Sequence, residues 1–263
     1  MTQIRVMSFN IRCANCDDGE HNWQHRKGLV IDRIRAFQPD LLGLQECRED
    51  EQAEFLRSNL PDYHFLGVPR GGEGETALEM APLMVRRSRF QVLQSGHFWL
   101  SPTPQLPGSK GWDAVFARTV TWARVCHRPS GKHLIFANTH FDYQPGAILG
   151  AAGMLRRWLE NQSGHAPLIL SGDFNADKQS AAYQHLTAGG LLFDPMRTPQ
   201  PGRGDPPTFH GFGRQTDPPA IDWILISAGF QVVSATVDTF QKQNRYPSDH
   251  YPIVTELKIK DNE

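Results

Sequence analysis

Asp173 and Asn175 stand two residues apart at the end of the apolar run Pro167-Leu168-Ile169-Leu170-Ser171-Gly172-Asp173-Phe174-Asn175-Ala176. Side chains two apart on an extended chain point to the same side. A carboxylate and a carboxamide can therefore address one small target. The pair suits a hydrated metal ion, a water to be deprotonated, or a phosphate; it equally suits a plain turn capped by Asp and Asn. Gly172 lets the backbone come close to whatever binds there. Other polar groups recur in the same way: Asn10, Glu46, His140 and the pair Asp249-His250 sit at the ends of strand-like runs, and Asp222 lies within Ile221-Asp222-Trp223-Ile224. The oxygens of Asn, Glu and Asp suit a hard cation such as magnesium or manganese. The histidines suit general-acid work and charge stabilisation near neutral pH. Asp222 is set in a strand too apolar for an idle acid. A buried carboxylate needs a partner, and His250 is the natural one.

Elements must deliver these residues to one place. Residues 4–11 alternate as a strand with Asn10 at its end, and 40–46 read as a second, buried strand. Helical spacing runs over 23–37 through Leu29, Ile31, Ile34 and Phe37, and Pro39 stops it. Further helices are predicted over 53–60, 147–161 and 181–188. Strands are predicted over 83–86 and 90–98 as a pair, then 119–127, 132–139 leading into His140, 168–170, 221–226, 230–237 and 253–259. Two long loops rich in Pro and Gly, 100–112 and 194–219, are of the kind that borders a site. Strands with a few helices between them predict two packed sheets with helices outside.

The chain of 263 residues is 39% hydrophobic and 21% charged, enough for a large core, and holds no linker or repeat, so one domain over 1–263 is expected. Its 27 basic and 28 acidic residues nearly cancel. Proteins that clamp long nucleic acids are usually more basic, so the balance favours a small or single-ended substrate. No leader-like segment opens the sequence, and no apolar run nears the ~20 residues that span a bilayer. A soluble, cytoplasmic monomer away from membranes is expected. Cys13, Cys16, Cys47 and Cys126 are too few and irregular for a disulfide scaffold, and no second Cys/His pair with zinc spacing follows Cys13-x-x-Cys16. All four are expected as reduced thiols.

The motifs Ser8-Phe9-Asn10-Ile11-Arg12, Leu44-Gln45-Glu46, Asn138-Thr139-His140, Gly172-Asp173-Phe174-Asn175, Ile221-Asp222-Trp223-Ile224 and Ser248-Asp249-His250-Tyr251-Pro252 occur in the order seen in the endonuclease/exonuclease/phosphatase superfamily. The resemblance runs from Ile4 to Leu257. The stretch Gly96-His97-Phe98-Trp99-Leu100-Ser101 with Gly111-Trp112-Asp113 and Arg118-Thr119-Val120-Thr121-Trp122 looks like a mostly bacterial branch of it.

The resemblance implies a four-layer α/β sandwich, two mainly antiparallel sheets face to face with helices outside. It implies a divalent-metal set of Glu46 helped by Asn10 and Asp249, with Mg2+ as the ion and Mn2+ as a substitute. It gives Asp173 the attacking water, Asn175 the support of that water or of a phosphoryl oxygen, and His250 the phosphoryl oxygens with Asp222 fixing its tautomer. His140 resembles the second histidine, a general acid or transition-state stabiliser, with Glu79 as its acidic partner. Arg118 is a candidate phosphate contact, because Arg grips phosphate bidentately, and Trp112 a candidate pocket wall. Relatives usually carry an Arg near the start of the helix after Thr139-His140; here Leu149 holds that place. The leading expectation is a Mg2+-dependent phosphoesterase acting on a phosphorylated small molecule. The alternative is a nuclease on DNA or RNA, which needs a basic track such as Arg86-Arg87 with Arg89, or Arg156-Arg157, on the active face.

Overall fold

The computed structural model describes residues 3–164, 166–196 and 205–260. Its first half holds β1 (Gln3–Asn10), α1 (Trp23–Phe37), β2 (Leu41–Gln45), β3 (Cys47–Arg48), α2 (Glu51–Asn59), β4 (Tyr63–Leu66), β5 (Glu79–Met80), β6 (Leu83–Arg86) and β7 (Phe90–Trp99). Then come β8 (Thr119–His127), β9 (His133–His140), α3 (Pro145–Ser163), β10 (Leu168–Asp173), α4 (Ala181–Thr187), β11 (Asp222–Ile226), β12 (Phe230–Val237) and β13 (Ile253–Ile259). A six-stranded sheet has the order β12-β13-β1-β2-β6-β4 and a five-stranded sheet the order β11-β10-β9-β8-β7, while β3 and β5 pair by themselves. Both large sheets are mixed: β1–β2 and β9–β10 are parallel and their other pairings antiparallel.

Three apolar clusters define four layers. Met7, Phe9, Leu42 and Leu44 pack under Trp23, Val30, Ile34 and Leu56, so α1 and α2 cover the outer face of the first sheet. Ile135, Leu170 and Leu225 pack under Ala151, Leu155, Tyr183 and Leu186, so α3 and α4 cover the second. Ile4, Val6, Leu41, Phe136, Ile169, Ile224 and Leu257 fill the space between the sheets. The fold class is the expected four-layer α/β sandwich.

The period of two along each strand carries this inner core into the site. From Ile4 and Val6 the inward row continues to Ser8 and Asn10. From Leu41 it continues to Gly43 and Gln45, from Leu134 and Phe136 to Asn138 and His140, and from Ile169 to Ser171 and Asp173. In antiparallel β11 the row Ile226, Ile224, Asp222 runs the same way, and Asp222 pairs with Asp173. Apolar side chains thus give way to polar ones at one end of the sandwich.

At that turning point Asn138 bolts the sheets together. Its Nδ2 donates to the Leu44 carbonyl (2.7 Å) and the Pro82 carbonyl (3.1 Å), and its Oδ1 accepts from Gln45 Nε2 (2.7 Å) and Ser171 Oγ (2.9 Å).

Two expectations need correction. The strands at 83–86 and 90–98 do not pair with each other. β6 sits between β2 and β4 in one sheet, and β7 pairs with β8 at the edge of the other. The short link between them is a crossing from sheet to sheet, and Phe90 enters the core between the sheets. The strand β4 was not expected from the sequence. Of the loop predicted over 194–219, residues 197–204 lie outside the described residues.

Candidate active site

Asn10 ends β1, Glu46 follows β2, His140 ends β9 and Asp173 ends β10. Parallel pairing sets Asn10 beside Gln45 and Asp173 beside His140. Asp222 starts β11, and Asp249 and His250 precede β13. The segment 205–219 fixes the last two groups. Thr208 Oγ1 accepts the Asp222 amide (3.1 Å), the Tyr251 amide donates to the Thr208 carbonyl (2.7 Å), and the His210 amide donates to the Asp249 carbonyl (2.9 Å).

The structure brings these residues together. His250 Nδ1 lies 2.9 Å from Asp222 Oδ2, and its Nε2 lies 3.7 Å from Asp173 Oδ2. Asn10 Nδ2 donates to Asp173 Oδ2 and to Glu46 Oε1, both at 2.9 Å. His140 Nε2 lies 3.5 Å from Asp173 Oδ2 and 3.2 Å from Asn175 Nδ2. Asp173 and Asn175 do meet the same neighbour, though not by an extended chain. Asn175 has φ +48°, its amide donates back to Asp173 Oδ1 (3.0 Å), and its Nδ2 donates to the Phe141 carbonyl (2.9 Å).

Charge is arranged unevenly. Burial opposes a charged His250, but Asp222 and Asp173 outweigh it and raise its pKa to about 10, so the ring is an imidazolium at neutral pH. Burial and then the charge of Asp222 raise Asp173 to about 7, against the pull of His250 and Asn10. Asp173 is thus balanced between acid and base near neutrality. Burial and the nearby Arg118 and Arg70 hold His140 well below the usual histidine range, so that ring is neutral.

Glu46 and Asp249 form an all-oxygen pair. Burial opposes the charge on Glu46, but Arg12, Asn10, His250 and the Cys13 amide keep it ionised below the usual carboxylate range. Asp249 is pushed up by burial and by Glu46. Arg12 straddles the two acids, at 3.8 Å from Glu46 Oε2 and 3.7 Å from Asp249 Oδ2. A buried and a half-buried carboxylate that repel each other, beside a cation at salt-bridge range, fit a hard divalent ion. Asn10 turns its amide nitrogen toward Glu46, while its oxygen accepts the Arg12 amide at 3.0 Å. A second group, Asp173, Asp222 and His250, has its ligand atoms within 4.8 Å of one another.

The other expected residues lie further out. Glu79 is buried, but its carboxylate pairs with Arg70 Nη1 at 3.1 Å, and among the described residues no hydrogen bond joins it to His140. Arg118 is buried beside His140 and lies 4.0 Å from Asp142. Trp112 has φ +55° and is half exposed. Its ring fills the space over Gly150, next to the exposed Leu149 on α3, and it does not line the cleft around His140. Its neighbour Asp113 accepts the Gly146 amide (3.1 Å) and so ties the loop to the start of α3.

Three residues of the site carry no role that the sequence alone assigns. Arg12 lies inside a motif but without a function of its own there. Arg70 belongs to no pattern at all. Arg26 is a buried arginine among Trp23 and Val30, on the inner face of α1. It donates to the carbonyls of Ile11, Arg12 (2.8 Å), Cys13 and Pro247 (3.1 Å), and thereby holds the loops of Arg12 and Asp249 together. Burial lowers its pKa to about 10.

The expectation of four reduced cysteines is also corrected. Cys13 and Cys16 are joined as a disulfide, because the turn after Arg12 (φ +55°) brings their Cα atoms to 5.7 Å; Cys47 and Cys126 are free.

The basic clusters lie away from the site. Arg86 and Arg89 face Asp40, and Arg89 donates to the carbonyl of Gln3, the residue at the far end of β1 from Asn10. Arg156 on α3 donates to the carbonyls of His185 and Ala188. No described helix is long and apolar enough to cross a membrane.

A sequence profile for the endonuclease/exonuclease/phosphatase family matches residues 7–250. The crystal structure of an endonuclease/exonuclease/phosphatase from Bacteroides vulgatus is 35% identical, with a TM-score of 0.89 over 99% of this chain and 100% of that one. A mannosyl-6-phosphatase of Bacteroides thetaiotaomicron is 30% identical, with a TM-score of 0.86 over 97% and 99%. Nocturnin of Rattus norvegicus is 28% identical over 285 residues, which cover 95% of this chain and 63% of nocturnin, so the chain spans less than two thirds of that relative. With the match reaching almost from Asn10's strand to His250, the chain belongs to the endonuclease/exonuclease/phosphatase family of phosphoesterases.

Proposed function

We propose that this protein is a Mg2+-dependent phosphoesterase that hydrolyses a small or single-ended phosphorylated substrate. The observation that carries it is the line Asp222–His250–Asp173, which sets an imidazolium beside a carboxylate of near-neutral pKa, next to the carboxylates of Glu46 and Asp249. Phosphoester hydrolysis builds charge on the non-bridging and leaving oxygens, and pre-set cationic groups stabilise that charge.

In this reading Glu46 and Asp249, with Asn10 orienting Glu46, hold the divalent ion. When bound, that ion supplies Lewis-acid neutralisation of phosphoryl charge. Asp173 takes the proton of the attacking water and aims it, and Asn175 holds the same water or a phosphoryl oxygen. His250, kept protonated by Asp222, binds the non-bridging oxygens. His140 faces the leaving oxygen; its neutral ring regains proton affinity when an anionic substrate answers Arg118 and Arg70. Glu79 acts on this corner through Arg70, and Arg118 contacts the substrate. Trp112 shapes the rim from its loop, packed against Gly150 of α3.

The nearly balanced formal charge and the placing of the arginine clusters away from the catalytic end support a small substrate over a nucleic-acid track. The test is turnover of phosphomonoesters, simple diesters, single-stranded and abasic DNA, and RNA with magnesium, manganese or a chelator. Small phosphoesters are expected to turn over and to stop with the chelator. Asp173→Ala and His250→Ala are each expected to lose at least ~10²–10³ in rate while staying folded. Nicking of DNA without any small-molecule turnover would instead establish the nuclease reading.

A further inference from the structure

Beside the catalytic cluster lies a second cleft, lined by Arg70, Glu79, Met80, Ala81, Arg118, Thr119 and His140. Only His140 belongs to both. Its Nε2 faces Asp173 and Asn175, while the ring walls the second cleft. Two guanidinium groups meet there. Arg70 and Arg118 are each more than nine-tenths buried, and both lie within cation–π reach of the Phe116 ring, at 4.7 and 5.3 Å.

Their partners are unequal. Arg70 donates to the Thr76 carbonyl (2.8 Å) and pairs with Glu79. Among the described residues Arg118 has no hydrogen-bond acceptor, and its Nε is buried without one. The closest acid, Asp142, is 4.0 Å away and already accepts the amides of Phe116 (2.9 Å) and Gln144 (3.0 Å). A guanidinium carries five donors in a planar fork that fits a carboxylate or phosphate. Leaving the buried Nε unbonded is costly, so a missing acceptor is the simplest account of its setting. The two positive charges also press on each other and on His140. An anion would relieve all three.

We propose that Arg118, backed by Arg70, forms a subsite for a second anionic group of the substrate, a phosphate or carboxylate carried beside the phosphoryl group that is cleaved. This rests on the phosphoesterase reading above and narrows it to substrates with two anionic groups. The scissile group is already answered by His250 and the acidic pair's cation, and none of Asn10, Glu46, Asp173 or His250 lines the second cleft.

The test is calorimetric binding to the Asp173→Asn variant, which is silent in turnover, with magnesium present. Pyrophosphate, a 2,3-bisphosphoglycerate and a hexose 1,6-bisphosphate offer three spacings, each compared with its monophosphate. At least one bis-anion should bind on the order of 10- to 100-fold tighter than its monophosphate, the equivalent of charge-assisted hydrogen bonds. Adding Arg118→Met, which keeps the apolar packing on Phe116, should remove most of that gain, costing the bis-anion at least ~10-fold more than it costs the monophosphate. Equal affinity for mono- and bis-anions at all three spacings overturns the subsite. So does an Arg118→Met change that weakens both alike, since Arg118 would then grip the scissile group. The comparison in Asp173→Asn alone needs no folded variant of Arg118. Turnover of the same compounds by wild type with magnesium tests the phosphoesterase reading separately: selective binding without hydrolysis sinks that reading and leaves the subsite standing.

Discussion

Replacing Asp222 by asparagine keeps the shape of the site and removes one charge. The carboxamide oxygen of Asp222→Asn can still accept from His250 Nδ1, which in the wild type lies 2.9 Å from Asp222 Oδ2. The difference between the usual histidine pKa of 6.5 and about 10 for His250 amounts to about 5 kcal/mol holding the proton. A unit charge at ~4 Å supplies ~4 kcal/mol at an effective dielectric constant of ~20, so Asp222 is the largest favourable contribution, with Asp173 adding to it and burial subtracting. In Asp222→Asn, His250 should therefore titrate near the ordinary histidine range, with burial pulling its pKa down and Asp173 pulling it up. Asp173 moves the other way, because the charge that helps raise it to about 7 is gone, and it ionises at lower pH.

The signs give a specific outcome. In wild type the imidazolium is present at all pH values below about 10. In the variant it is lost as pH rises through neutrality, while the base remains available at more acid pH. Hydrolysis at pH 8 should fall by roughly 10²–10³, the usual loss for one oxyanion donor, and should recover in part toward pH 6. The same linkage acts on stability. A raised histidine pKa stabilises the fold fully below ~6.5, and the gain fades as pH rises toward about 10; the variant should lose that alkaline decline. The assay is an NMR titration of His250 in the metal-free protein, beside a pH profile of kcat/KM. A variant ring still protonated at pH 9, or an unmoved alkaline limb, refutes the assignment of the charge to Asp222.

Other substitutions probe other parts of the site. Glu46→Gln should weaken Mg2+ or Mn2+ binding by more than the ~10–100-fold that follows loss of an outer-shell partner; calorimetry reads this directly, and the variant should lose the rise in Tm that the ion gives wild type. Asn138→Ala removes a donor from the Leu44 carbonyl, while the Pro82 carbonyl keeps the Leu44 amide and Gln45 Nε2 keeps Ser8 Oγ. At ~1–3 kcal/mol for a stranded group, urea unfolding should show a loss of about 1–3 kcal/mol. A thiol reagent on unfolded, unreduced protein should find two free cysteines, and four after reduction, if Cys13 and Cys16 are bonded. Four before reduction would mean open thiols.

Much of the fold could be read from alternation. Leu134, Phe136, Asn138 and His140 are every second residue of one strand, and that period alone predicts that a core row ends in a polar pair. The helix at 23–37 was legible because Leu29, Ile31 and Ile34 keep helical spacing and Pro39 forbids continuation. What period cannot tell is which sheet a strand joins. The strands at 83–86 and 90–98 look like a hairpin by their spacing, yet three residues between them carry the chain across the sandwich. The proposed catalytic residues were legible as types at strand ends. Their helpers were not, because Arg12, Arg26 and Arg70 act through backbone carbonyls and distant acids that no local pattern reveals. Asp173 and Asn175 show how a sound conclusion can rest on a wrong local picture: they converge through a turn in which Asn175 adopts positive φ, not by sharing a strand face.

That turn belongs to a wider feature of the site. Arg12, Glu46 and Asn175 all have left-handed backbones, at φ +55°, +57° and +48°, which non-glycine residues adopt at a cost. None is replaceable by glycine without losing its side chain, so the surroundings must hold the strained turns. Arg26 does this for the first, closing four carbonyl contacts around the Arg12 loop and the Pro247 segment. The Cys13 amide does it for the second by binding Glu46 Oε2 at 3.1 Å, and the Phe141 carbonyl for the third by accepting from Asn175. The supports for Glu46 and Asn175 come from strand ends other than their own, and the support for Arg12 comes from α1. The strands alone deliver the functional groups to one end of the sandwich; the aim of Glu46 and Asn175 within that end is set by these cross-links. Three of the left-handed non-glycine residues thus lie where, on the proposed function, the metal-binding acid and the water-handling amide must face inward, and the buried arginine under the Arg12 loop is part of that construction.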